Sequence, residues 1–130
     1  MPALDTLTSL NPLRGYVSAI HTSSFFHLFD EEQQAKVARA LAGLLSPKPG
    51  SVIFGLHAGL PVKGIRSRST GGFAFAHSPE SWKELWDGQI FDQGKVKVEA
   101  FLKRADRIEP NSTPDKGVER CWLVWSVTRV

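Results

Sequence analysis

A well-capped helix set between two short apolar runs constrains this chain more than any other feature. Asp30 is a good N-cap and Gln33 stands three residues on, as in a reciprocal capping box. Glu31 and Glu32 fill the first turn, where the helix dipole favours negative charge. Val37, Ala38, Leu41, Leu44 and Leu45 recur at helical spacing, and Pro47, Pro49 and Gly50 end the pattern, so a helix is predicted over 31–45. Tyr16 to His21 and Ser51 to Leu56, on either side, read as strands. Val52-Ile53-Phe54 is a continuous apolar run, as expected of a strand covered on both faces. Strand, helix and strand at this spacing make a βαβ unit with parallel pairing and a right-handed crossover.

Downstream, His57 to Gly72 is rich in Gly, Ser and basic residues and reads as a long loop. A short helix follows, with Ser78 as cap, Pro79 at its first position, Trp82, Leu85 and Trp86 as its apolar stripe, and Gly88 just past its end. From Lys95 to Lys103 the residues alternate, with Val96, Val98, Ala100 and Leu102 on one side, which marks a half-exposed strand near a sheet edge. Arg104 to Glu119 is polar with two prolines and reads as a loop. Cys121 to Thr128 is strongly β-prone, and with only a loop between them the last two strands are expected to be antiparallel neighbours. The expected fold is three-layer α/β in the order β-α-β-α-β-β. Its sheet should run first strand, second, fourth, third.

Composition narrows the class. A chain of 130 residues forms one domain, here residues 1–130, and 42% hydrophobic with 22% charged residues describes a globular protein. The apolar bursts are far shorter than the roughly 18 residues a membrane span needs. A lone cysteine, Cys121, fits a reducing compartment, so a cytoplasmic location is expected. The net charge of +3 is spread along the chain, densest at Lys63, Arg66 and Arg68, without aromatic interleaving or a nucleic-acid motif. That stretch is either a contact for an acidic ligand or a solvated loop. No His, Cys, Asp or Glu grouping has metal-ligand spacing, and Cys121 has no evident base partner, so neither a metal site nor a nucleophilic triad is expected.

The stretches VSAIHTSSFFHLFDEEQQ, LLSPKPGSVIFG, HSPESWKELWDG and WLVWSVTRV, together spanning most of residues 13–130, resemble the class I S-adenosylmethionine-dependent methyltransferases. Within that class they are similar to fungal secondary-metabolite enzymes acting on meroterpenoid-type intermediates. The element order is similar to the C-terminal half of that Rossmann-like sheet, which ends in an antiparallel strand inserted between two others. The resemblance implies S-adenosylmethionine as cofactor and a small-molecule acceptor, with no nucleic acid or membrane as partner. The family's first half carries a Gly-rich turn and an acidic residue that hold the cofactor. No Gly-rich strand-to-helix turn is legible in this sequence, Gly71-Gly72 lies in a different context, and Ser18 occupies a position where the family has an acidic residue.

In open α/β sheets the ligand lies beyond the C-terminal strand ends, which puts His21, Thr22 and Ser23 at the mouth. By resemblance they run along the methionine moiety of the cofactor; otherwise they are polar residues satisfying a strand end. Phe25, Phe26 and Phe29 either line an apolar acceptor pocket or pack the helix onto the sheet, with His27 as candidate orienting group or base. His57, at the end of the second strand, either faces the same cleft or stands in a solvent-exposed loop. His77 is either a neighbour of the Ser78 cap or a substrate contact, and the four tryptophans are expected in the core.

Two functions are therefore expected to compete. One is an O-methyltransferase forming a methyl ester; the other is a non-catalytic remnant or interaction module without the cofactor-binding half. A small basic binding module has only the charge balance behind it. Without its sheet neighbour, the strand at 16–21 should expose an edge that leads to self-association or to a companion chain.

Overall fold

The computed structural model describes residues 5, 7–67, 73–104 and 121–130. Its elements in chain order are β1 (Ala19–Ser23), α1 (Glu31–Leu44), β2 (Val52–Gly59), β3 (Gly64–Ser67), β4 (Phe73–Ala76), α2 (Pro79–Trp86), β5 (Val96–Arg104) and β6 (Cys121–Arg129). One mixed sheet runs β1-β2-β6-β5, and a separate hairpin pairs β3 with β4. β1 and β2 are parallel, while β6 lies antiparallel to both β2 and β5. The expected strand order and directions are those observed.

Both helices start where their side chains can satisfy the first free N–H groups. The Asp30 side chain accepts from the Gln33 N–H at 2.8 Å, and Gln33 returns the bond to the Asp30 N–H at 3.3 Å. Ser78 and Ser81 form the same reciprocal box on α2, with Pro79 pre-set for the first turn. Buried Gln34 then ties α1 to its surroundings, donating from Nε2 to the Phe29 carbonyl at 3.0 Å and the Phe75 carbonyl at 3.3 Å.

Alternation along the strands decides where the core sits. Ile20, Ile53, Leu123, Trp125, Val127, Val96 and Val98 turn to one face, where they meet Ala38 of α1, Leu45 just after it, and Trp82, Leu85 and Trp86 of α2. The opposite face carries His21, Phe54, Trp122 and Phe101, and the last three are 40%, 37% and 57% exposed. Both described helices thus lie on one face, giving two layers where three were expected. The apolar run Val52-Ile53-Phe54 is covered on one side only, because no described helix lies over Phe54.

β1 and β2 approach closely at Gly55. A Cβ there would meet the backbone carbonyl of Thr22, with its carbon 2.7 Å away, so this position holds glycine because the neighbouring main chain leaves no room. Three local expectations shift. The first strand begins at Ala19 rather than Tyr16, because Tyr16 closes a turn onto Leu13 and is 54% exposed, while Val17 bridges Leu45. The stretch after His57 holds a short hairpin, with Ile65 opposite Phe75, rather than loop alone. Finally, β5 reaches Arg104, which pairs with Cys121. Arg68, Gly71-Gly72 and the expected loop at 105–119 lie outside the described residues.

Candidate functional site

β1 and β2 end on the same side of the sheet, and the segments leaving them set the candidate site. Ser24, just after β1, takes a positive φ of 53° and donates to the Leu56 carbonyl at 2.8 Å, which fixes the direction of the exit. Of the expected cofactor contacts, His21 and Ser23 are exposed and Thr22 is half-buried. The His21 ring stacks on Phe54 of β2, with centroids 4.9 Å apart and planes at 26°. The Thr22 hydroxyl is buried with no hydrogen-bond partner among the described residues.

The three phenylalanines part company. Phe25 is 39% exposed and meets the edge of half-buried Phe29 at 5.2 Å. Phe26 is fully buried, edge-on to Trp82 at 4.9 Å and to Trp125 at 5.8 Å. It is a core residue that pins the short 3-10 turn Phe26–Leu28 against the sheet. His27 lies in that turn, half-buried.

His57 is neither a strand end nor a loop residue. β2 continues to Gly59, so the side chain falls on the core face and is 1% exposed. Trp125 donates its indole N–H to His57 Nδ1 at 3.2 Å, which leaves the imidazole proton on Nε2. The ring sits 4.8 Å from Trp82 and 5.6 Å from Phe26. Burial lowers its pKa to about 3, helped by the nearby His27 and His77, so it is neutral at physiological pH.

Sequence reasoning weighed His77 as a substrate contact and Lys63 as a contact for an acidic ligand, but did not join them in one open cleft. It has a volume of about 340 Å³ and is lined by Glu31 and Glu32 at the start of α1, Lys63 after β2, His77 after β4, and Ser81 and Glu84 on α2. His77 is 4% exposed and meets the Ser81 hydroxyl through Nδ1 at 2.8 Å. Burial, and then Lys63, lowers its pKa to about 4. Lys63 also reaches Glu31 at 3.6 Å between exposed side chains, a screened contact worth little by itself. The signal available in the sequence was the pair of capping boxes, since both put helix starts beside the strand ends. His21, Thr22, Ser23, the three phenylalanines and His57 do not line this cleft.

No family model matches the chain. Over 86 residues it is 42% identical to the O-methyltransferase phiE of a fungal species, a match covering 65% of this chain and 29% of that protein. Over 122 residues it is 30% identical to the asnovolin E/chermesin D methyltransferase nvfJ of Aspergillus novofumigatus, covering 92% of this chain and 42% of that protein. It is 34% identical to the O-methyltransferase atr3 of Stereocaulon alpinum over 73% of this chain and 28% of that protein. The chain resembles fungal methyltransferases over most of its own length and spans less than half of theirs.

Proposed function

We propose that this chain is the C-terminal part of a class I S-adenosylmethionine-dependent O-methyltransferase domain of fungal secondary metabolism, forming a methyl ester on a small-molecule acceptor. The observation that carries this reading is the sheet order β1-β2-β6-β5, with the last strand inserted antiparallel between β2 and β5. That is the arrangement the family resemblance implies for the end of the domain, and relatives named as methyltransferases support it.

Methyl transfer from a sulfonium is an in-line displacement that depends on positioning and on excluding water. A carboxylate acceptor is already nucleophilic and needs no base, so the role left to His27 is to orient it. The described residues do not by themselves fit the cofactor. Neither strand-to-helix connection, 24–30 or 77–78, contains a glycine, and β1 carries no acidic side chain. His21, Thr22 and Ser23 form one wall of a site whose other wall lies elsewhere. The second reading, a non-catalytic module, rests on the same lack.

Amide shift mapping tests the assignment of that wall. With S-adenosylmethionine near 1 mM, a concentration matched to an affinity of about −4 kcal/mol, amides of residues 21–24 should move and those of β5 should not. Shifts confined to β5 and β6, or none at all, would remove these residues from the cofactor site.

A further inference from the structure

β5 closes the sheet on the side away from β1, and the bonds around it fix which of its groups remain open. The Arg129 N–H donates to the Ser51 carbonyl on the β2 side, while the Val130 N–H turns the other way and reaches the Lys95 carbonyl. Even-numbered residues of β6 therefore serve β5. The register sets Trp122, Val124, Ser126 and Thr128 opposite Lys103, Phe101, Glu99 and Lys97. Val98, Ala100 and Leu102 turn their backbone N–H and carbonyl groups outward, and no described residue bonds to them. Along the same edge the side chains of Lys97, Glu99, Phe101 and Lys103 are all exposed.

We propose that the outer edge of β5 is an interface between two copies of this chain, paired antiparallel about a two-fold axis at Phe101. The charge pattern selects both the occupant and the register. Pairing about Phe101 sets Glu99 of each copy opposite Lys103 of the other, with the two Phe101 rings facing across the axis. Ala100 and Leu102 then exchange backbone hydrogen bonds between copies, since both turn those groups outward. Phe101 and the Glu99–Lys103 pairs fall between those bonds, where facing residues stand closest, about 4.5 Å between Cα atoms. Neighbouring registers are poorer. An axis at Glu99 sets that carboxylate against its own copy, and an axis at Ala100 sets Lys97 against Lys103. An axis at Val98 joins Lys97 to Glu99 but pairs only residues 96–100 of the strand, against 98–104 about Phe101. Lysine on an edge strand ordinarily repels a second strand. Here Lys103 meets a carboxylate across the axis, and Lys97 keeps its contact with Glu99 at 3.2 Å within its own strand.

Sedimentation of the full 130-residue chain over a roughly hundredfold range of concentration should show a monomer–dimer equilibrium. Glu99→Lys sets lysine against Lys103 and should weaken the dimer by about tenfold or more. Adding Lys103→Glu restores opposite charges and should recover most of that loss. Both positions are exposed, so circular dichroism should report an unchanged fold. Phe101→Cys should cross-link to its own copy under mild oxidation, because Cα atoms about 4.5 Å apart accept a disulfide. Lys97→Cys should not, and neither should the parent chain, whose Cys121 is buried. A monomer at every concentration would overturn the proposal. So would a dimer indifferent to Glu99→Lys, a charge swap without recovery, or a cross-link at Lys97 and none at Phe101.

Discussion

Trp82→Ala should cost about 3–5 kcal/mol, the range for truncating a large buried aromatic, and should leave a chain that no longer melts cooperatively. Trp82 is fully buried and stands at the centre of an aromatic cluster, within 5.2 Å of Phe26, His57, His77 and Trp125 by ring centroids. Truncation would open a void among side chains drawn from the 3-10 turn, β2, α2 and β6, leaving Phe26 and Trp125 as their remaining links. A domain holds only about 5–15 kcal/mol in total, so the loss is a large share of it. Trp82→Phe is the informative control. It keeps an aromatic ring and removes an indole N–H that is buried without an acceptor among the described residues, so it should cost clearly less. Urea titrations followed by tryptophan fluorescence decide this. Equal effects of the two substitutions would mean that the cluster does not organise the core.

Acid should unfold the protein earlier than its carboxylates alone would require. His57 and His77 have folded pKa values lowered from 6.5 to about 3 and about 4, by burial first. Between those values and 6.5 the unfolded chain binds more protons than the folded one, so stability rises with pH and is complete above the unfolded value. It falls as pH drops below 6.5, by about 1.4 kcal/mol per pH unit for each histidine. From pH 7 to pH 5 the two together remove about 4 kcal/mol. Below the folded values the loss levels off. The nearby groups work in the same direction, since His27 and His77 disfavour charge on His57 and Lys63 disfavours it on His77. Thermal melts from pH 7.5 to 4.5 should show this decline, and His77→Gln should make it shallower. A melting temperature flat between pH 7 and pH 5 would show that these rings are not held neutral by burial.

Much of this architecture is legible in the sequence because it is set locally. Asp30 with Gln33 three residues on, and Ser78 with Pro79 directly after it, fix both helix starts locally. The strand order follows from one βαβ unit and a loop-linked pair, and the alternation at 95–103 correctly marks β5 as a half-exposed edge strand. What the sequence hides depends on distant partners. The sequence leaves His57 open between a cleft and a loop, because its hydrogen bond comes from Trp125, 68 positions away. Phe25 and Phe26 are chemically identical neighbours, yet one is exposed and the other buried, since a 3-10 turn rotates them to different sides. Glycine and serine conceal the β3–β4 hairpin, which is only four residues on each side. The cleft at His77, Ser81 and Glu84 brings together the first turn of α1, Lys63 and α2, which lie far apart in sequence.

On the proposed reading, His21, Thr22 and Ser23 form one wall of a methyl-donor site. Calorimetric titration of S-adenosylmethionine into the purified chain alone tests this most directly. No saturable heat in the low micromolar range is predicted, because the strand ends offer His21, Thr22 and Ser23 without a glycine turn or an acidic partner for the ribose. A dissociation constant of a few micromolar, about −8 kcal/mol, would contradict it and make the 130 residues a self-sufficient cofactor-binding domain.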